Sequence, residues 1–325
     1  MRVKTVNKVE VKKMEENNNV HLNEHSHSET GHNHDVSTMS GKKIFWVTVL
    51  NATITVTEIV GGIVSGSLAL LSDAVHNLSD TVAIALSYFA FRIGQKPKSA
   101  KKTFGYKRAE ILSAFINSAV LVAISLVLIV EAFKRWQSPG SINGDLMMIV
   151  AIIALIANLV SVFLLEKDSH GSLNIKASYL HLLGDAMASA GVLLGAITIK
   201  FWNVIWVDPL ITVIISIYIS FEAWKVIKKT VDILMQSSAD LDYESIKRDV
   251  EVIAKVKNIH HVHSWMIDEK TIYFEAHIEM EDMHISEAEK IYDLIEDLLK
   301  EHYGISHVTL QVEVDKCDDK RIFKI

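Results

Sequence analysis

The chain is poor in the residues that would staple or interrupt a fold. Its 325 residues hold one cysteine, Cys317, and three prolines. One cysteine excludes an intramolecular disulfide framework and any metal site built from a thiolate cluster. The first forty residues lack the succession of basic, apolar and small residues that makes a signal peptide, so the first apolar run is expected to be retained. No His-Glu-x-x-His arrangement is present, and nothing points to nucleic acid as a partner. Half of the residues are hydrophobic although 22% are charged, with a net charge of −6 and a mean hydropathy of +0.24. That combination is unusual for a soluble protein, so the apolar residues must be concentrated. They fall into long runs between Ile44 and Ile227, with polar ends on both sides.

Six segments are expected to cross a membrane: 44–64, 74–93, 109–133, 146–165, 177–199 and 207–227. Each approaches the roughly 20 residues that span hydrocarbon. Orientation follows from the basic residues beside them. The second connection carries Arg92, Lys96, Lys98, Lys101, Lys102, Lys107 and Arg108, which places it in the cytosol, whereas 65–72 has no Lys or Arg. Both termini are then cytosolic. Lys134 and Arg135, at the end of the third segment, are a local exception.

Beyond Gln236 the pattern turns amphipathic. Ile246, Val250, Ile253 and Val256 recur at helical spacing. Strands are expected at 262–267 and 271–279, joined by a charged turn at 268–270, then a helix from Ser286 to about His302 and a strand at 308–314. The fold class is therefore an α-helical membrane protein with six transmembrane helices and a small α+β C-terminal domain with an open sheet. The expected division is a disordered histidine-bearing tail at 1–41, a membrane domain at 42–232, a soluble domain at 233–317 and a C-terminal tail at 318–325.

Two membrane segments carry ionisable residues. His76 and Asp80 are four apart in the second, and His181 and Asp185 repeat that spacing in the fifth, so each pair projects to one helix face. Two such faces can make one tetrahedral site. Two imidazoles and two carboxylates suit zinc or cobalt, whereas calcium or magnesium wants a larger oxygen shell. Burying such groups at membrane depth is costly unless they are paired, which makes them functional by default. Two carboxylates balance one divalent ion, and its departure is balanced by proton uptake. Asp73, seven residues before Asp80, lies on roughly the same face as a supporting residue or a helix cap. Asp208 followed by Pro209 reads as an N-cap and first helical position.

At these residues the chain resembles the cation diffusion facilitators, close to their zinc-transporting branch. The stretch 66–80, Gly-Ser-Leu-Ala-Leu-Leu-Ser-Asp-Ala-Val-His-Asn-Leu-Ser-Asp, looks like that family's second-helix signature. Residues 104–110, Phe-Gly-Tyr-Lys-Arg-Ala-Glu, resemble the start of its third helix, and His181 with Asp185 match its fifth. The resemblance runs from about Lys42 to Cys317. It implies a cytosolic metallochaperone-like, ferredoxin-like domain, a homodimer, and exchange of zinc for protons by alternating access, with His76, Asp80, His181 and Asp185 as the transport site. It also implies a charge interlock from Arg108 and Asp232, and a single structural or regulatory Zn2+ held by His260, His277 and Glu313. Gln311 and Lys290 stand where other members have ligands, and the 92–107 loop lacks the histidines of a further site. His261 reads as a solvated strand residue.

His21, His25, His27, His32 and His34 lie among Asn, Glu, Ser and Gly, a composition that stays disordered without metal and can collect divalent ions weakly. The function these readings converge on is export of zinc, with cobalt and cadmium as further cargoes, across the plasma membrane by a protein that is not an enzyme. Two other classes remain open here: a membrane-anchored zinc sensor, which leaves ligands in two separate helices unexplained, and an intramembrane metalloenzyme, which would need an open metal position and a base.

Overall fold

The computed structural model describes residues 34–166, 173–316 and 321–323, with side chains from Trp46 in the first stretch and from Ser178 in the second. Six long helices come first. They are α1 (His34–Ser65), α2 (Leu68–Gly94), α3 (Arg108–Gln137), α4 (Gly144–Glu166), α5 (Leu173–Trp202) and α6 (Val207–Leu234). A short helix α7 (Tyr243–Glu251), strands β1 (Val256–Met266) and β2 (Ile272–Met280), helix α8 (Ile285–Tyr303) and strand β3 (His307–Glu313) follow.

Five of the long helices are apolar enough to cross a membrane by composition alone, and α2 is not among them. The reason lies in its inner face, where Ser72, Asp73, His76 and Asn77 are all buried. Its 27 residues reach about 40 Å at 1.5 Å per residue, long enough to span hydrocarbon. The outer surface of the group is apolar instead: Val60, Ile63, Phe89, Val127, Phe163, Leu194, Phe221 and Trp224 are exposed. A belt of this size is tolerable only against lipid.

Between the helices the contacts are made by small residues, which let backbones approach closely. Ala69, Ala151, Ala196 and Ala223 are buried around Leu70, Met147, Val192 and Ile219. A Cβ on Gly61 would lie 2.6 Å from Val150 Cγ2, so α1 and α4 meet at a distance only glycine allows. The α1–α2 connection turns at Gly66, whose φ of +76° is in the left-handed region.

The soluble part has a three-stranded sheet in the order β1-β2-β3, with β1–β2 antiparallel and β2–β3 parallel. The β2–α8–β3 crossover supplies the parallel pair. Ile246 and Val250 of α7 and Ile291, Ile295 and Leu299 of α8 cover the sheet residues Ile259, Phe274, Ala276 and Ile278. Gly304, in the left-handed conformation, ends α8.

Several boundaries differ from the sequence reading. Helix α1 begins at His34, ahead of the apolar run at Ile44. Val256 opens β1 rather than continuing the preceding helix, which stops at Glu251. The second half of this strand was expected at 262–267, and its first half is masked in the sequence because a bulge between His260 and His263, with His261 at φ +53°, breaks the period-two alternation. That bulge frees the Val262 N–H to donate to Ile322 O at 2.8 Å. Ile322, in the segment read as a tail, is buried in the domain core.

Candidate metal centre in the membrane helices

Helices α2 and α5 bring four ligand atoms together. Atoms from His76, Asp80, His181 and Asp185 all lie within 4.8 Å of one another. His181 Nε2 is 2.9 Å from Asp80 Oδ2, and His76 Nε2 is 3.2 Å from Asp185 Oδ1. Within each helix the i,i+4 contacts are longer, 3.9 Å for both His76–Asp80 and His181–Asp185. Each imidazole thus finds its nearer carboxylate on the other helix. The set is two nitrogen and two oxygen donors from two faces, which suits a tetrahedral divalent ion.

Burial is uneven across the four. The Asp185 side chain is 2% exposed, whereas that of His181 is 47% exposed. A cavity of about 270 Å³ opens on the more exposed side, lined by Ser87, Asn117, Glu222 and Val226 beside His76, Asp80 and His181. Ser87, Ala114 and Val226 also line a second space of about 780 Å³, which continues to the β1–β2 turn at Asp268–Thr271 and contains Glu110. The ligands therefore open toward the soluble domain, through adjoining spaces that bear Glu222, Glu110, Asp268 and Glu269 together with Lys225, Lys229 and Lys270.

On the opposite side the interior is closed by buried polar residues. Ser189 donates to Asp73 Oδ2 at 2.9 Å, and Asn158 donates to Ser189 at 3.0 Å. Asn77 Nδ2 donates to Glu58 Oε2 at 2.9 Å, which ties α2 to α1. Glu58 is fully buried. It was not singled out in the sequence, although a glutamate inside an apolar run is the same signal that marked Asp80. Beyond this layer, Asp208 of α6 accepts from the backbone of Leu68 at 2.9 Å and Ala69 at 3.2 Å, and Ser67 donates to it as well. Asp208 thus caps α2, not its own helix. Lys134 and Arg135, the exceptions to the charge rule, are held there: both lie within 4.0 Å of Glu131, and Arg135 donates to Gly66 O.

Arg108 and Asp232 form no ion pair with each other among the described residues, and Asp232 is exposed. The neighbouring Lys107 makes the contact to the soluble domain, donating to Thr271 Oγ1 at 3.1 Å and lying 3.7 Å from Asp268. Lys229 donates to Glu269 at 2.8 Å. Phe104 meets Tyr273 edge-on, with centroids 5.5 Å apart.

The sheet brings a second group together. His260 and His277 are register partners on β1 and β2, and Glu313 sits at the end of β3. His277 Nδ1 is 3.0 Å and His260 Nε2 3.5 Å from the Glu313 carboxylate. His260 Nε2 is buried without a hydrogen-bond partner among the described residues, the condition a metal would relieve. Its Nδ1 lies 3.1 Å from Asn258 Nδ2. A zinc ion fits these three donors, where it would cross-link all three strands. Gln311 donates to Glu313 at 2.8 Å. The Glu313 carboxyl is raised by burial, but the hydrogen bonds from Gln311 and Lys316 and the nearby His277 outweigh that and hold it below its ordinary range.

Of the tail histidines, His21, His25, His27 and His32 lie outside the described residues, and His34 is described only as the first residue of α1.

Six packed helices with a histidine–carboxylate cluster in their interior, joined to a small α+β domain, define a membrane cation transporter. The chain belongs to the cation efflux family: residues 44–235 match its transmembrane domain and residues 239–315 its cytoplasmic domain. It is 38% identical to the cadmium, cobalt and zinc/H(+)-K(+) antiporter of Bacillus subtilis, across 88% of this chain and 92% of that protein. The zinc transporter ZitB of Pectobacterium atrosepticum is 36% identical, across 91% and 90% respectively. The metal cation efflux system protein CzcD of Cupriavidus metallidurans is 33% identical, across 89% and 91%.

Proposed function

We propose that the protein exports zinc from the cytosol in exchange for protons, with cadmium and cobalt as further cargoes. The observation that carries this reading is the meeting of His76, Asp80, His181 and Asp185 across α2 and α5 inside the membrane domain. Relatives named for transport of zinc, cadmium and cobalt support the choice of metals. The ion enters from the soluble-domain side, along the path that ends at the exposed edge of His181. The Asp80 and Asp185 carboxylates neutralise the cargo and the two imidazoles complete its shell. When the ion leaves, protons take its place between each histidine and its cross-helix carboxylate, so that cargo and proton occupancy exclude one another. Rocking of α2 and α5 relative to the other helices changes the side from which the site is reached.

In the same reading the protein is a homodimer in the plasma membrane with both termini in the cytosol. The membrane domain keeps its limits at 42–232, the soluble domain begins at 233 and includes Ile322 of its core, and Asp73 supports the transport site. His260, His277 and Glu313 hold a structural or regulatory zinc. Arg108 and Asp232 act between subunits, and the histidines at 21–34 collect metal in the cytosol. The decisive experiment reconstitutes wild type and Asp185→Ala into vesicles carrying a zinc dye and a pH dye, under opposed zinc and proton gradients. Zinc flux with counter-directed protons, lost in the variant, is expected. Zinc binding without flux in a correctly folded preparation would overturn the transporter reading in favour of a sensor.

A further inference from the structure

A separate pocket of about 310 Å³ lies between the α2–α3 loop and the β1–β2 hairpin. Four cationic side chains line it, Lys101, Lys102, Lys107 and Arg108, with Phe104 and Trp265 as aromatic walls, and no acidic residue is among its lining. Like charges around one space repel one another, and an anion bound among them relieves that repulsion. Arg108 Nε is buried and has no hydrogen-bond partner among the described residues of one chain. Of these cations, Lys107 lies 3.7 Å from the Asp268 carboxylate.

The backbone adds to the same field. Lys107 occupies the N-cap position of α3 without a side-chain cap; the Ala109 and Glu110 N–H groups donate to Tyr106 O and Lys107 O, and the positive helix end adds its dipole to this region. Depth is set by the same helix, because the apolar span Arg108–Gln137 begins at Arg108. The pocket therefore sits at the polar margin of the hydrocarbon, where lipid phosphates are found. Phe104 and Trp265 both pack on Tyr273, with centroids 5.5 Å and 5.6 Å away, and form the amphipathic surface typical of that margin.

We propose that this pocket binds a phosphate group, that of an anionic phospholipid headgroup, between the α2–α3 loop and the β1–β2 hairpin. The bound anion neutralises Lys101, Lys102 and Lys107 and thereby holds the hairpin against the start of α3. Nothing in this depends on which metal is carried.

The test uses the full chain purified in detergent and titrated with phosphatidylglycerol or phosphatidylcholine, with bound lipid counted by native mass spectrometry. Preferential retention of phosphatidylglycerol is expected, weakened about fivefold by each of Lys101→Gln and Lys102→Gln and kept in Lys101→Arg. Lys96→Gln and Lys228→Gln, which neutralise charges outside the pocket, should leave that retention unchanged. Failure of inorganic phosphate to displace the lipid supports the headgroup as ligand. Displacement by inorganic phosphate supports the phosphate site and makes its ligand a soluble phosphate. Equal retention of the two lipids, or Lys→Gln variants that behave as wild type, overturns the proposal.

Discussion

His76 on α2 brings its Nε2 to 3.2 Å from Asp185 Oδ1 on α5, closer than the 3.9 Å to Asp80 in its own helix. Both side chains are almost wholly buried, so the two helices meet at this point through a polar pair, a contact that an amide at 185 can keep. Asp185→Asn keeps the shape and removes one ligand charge. Zinc flux in vesicles is expected to fall more than about tenfold, while the melting temperature of the zinc-free protein stays near that of wild type. A variant with wild-type flux would exclude Asp185 from the transport site.

Glu58 is expected to matter for assembly of the helices. Its Oε2 is the acceptor for the buried Asn77 amide at 2.9 Å. Glu58→Ala leaves that donor unmet and should cost about 1–3 kcal/mol, whereas Glu58→Gln retains an acceptor and should cost much less. Thermal unfolding in detergent separates the two, and equal melting temperatures for both variants would remove Glu58 from the interhelical link.

Asp208 carries a cap for a helix it does not belong to. Replacing it by Ala orphans the N–H groups of Leu68 and Ala69 and the hydroxyl of Ser67, and should destabilise by about 2 kcal/mol. Hydrogen exchange at residues 67–70 should rise while exchange in the β-sheet does not. Protection unchanged at 67–70 would contradict the interhelical cap.

The turn at Asp268 gives a pH dependence. Burial raises this carboxyl, but donation from the Lys270 and Thr271 backbone, the Thr271 hydroxyl and the nearby Lys107 together hold it below the usual carboxylate range. A depressed value in the folded state means that the stabilisation is fully present above the unfolded pKa of about 3.9. It is lost as pH falls through the lower, folded value. Exchange of the Lys270 and Thr271 amides should therefore stay protected from neutral pH down to about pH 4 and rise below it, with Asp268→Asn raising it at all pH values. An opening centred near pH 6 would point to a histidine instead.

Much of this architecture is legible in the chain itself. Apolar length marks five of the membrane helices, and the i,i+4 spacing of His76 with Asp80 and of His181 with Asp185 puts each pair on one helix face, because helical periodicity is a local property. The α+β domain is legible for the same reason, from Ile291, Ile295 and Leu299 on one face of α8. What local pattern cannot carry is which face meets which. Asp208 reads as a cap of its own helix because Asp-Pro has that local preference, yet tertiary packing delivers its carboxylate to residues 140 positions away. Arg108 stands beside the loop lysine that actually engages the hairpin, and only the docking of Thr271 selects Lys107 between them. Glu58 passes for an isolated charge until α1 packs against Asn77. In each case the energy belongs to a buried pair drawn from distant segments, and a buried polar group is stabilised only by the partner that the tertiary fold supplies.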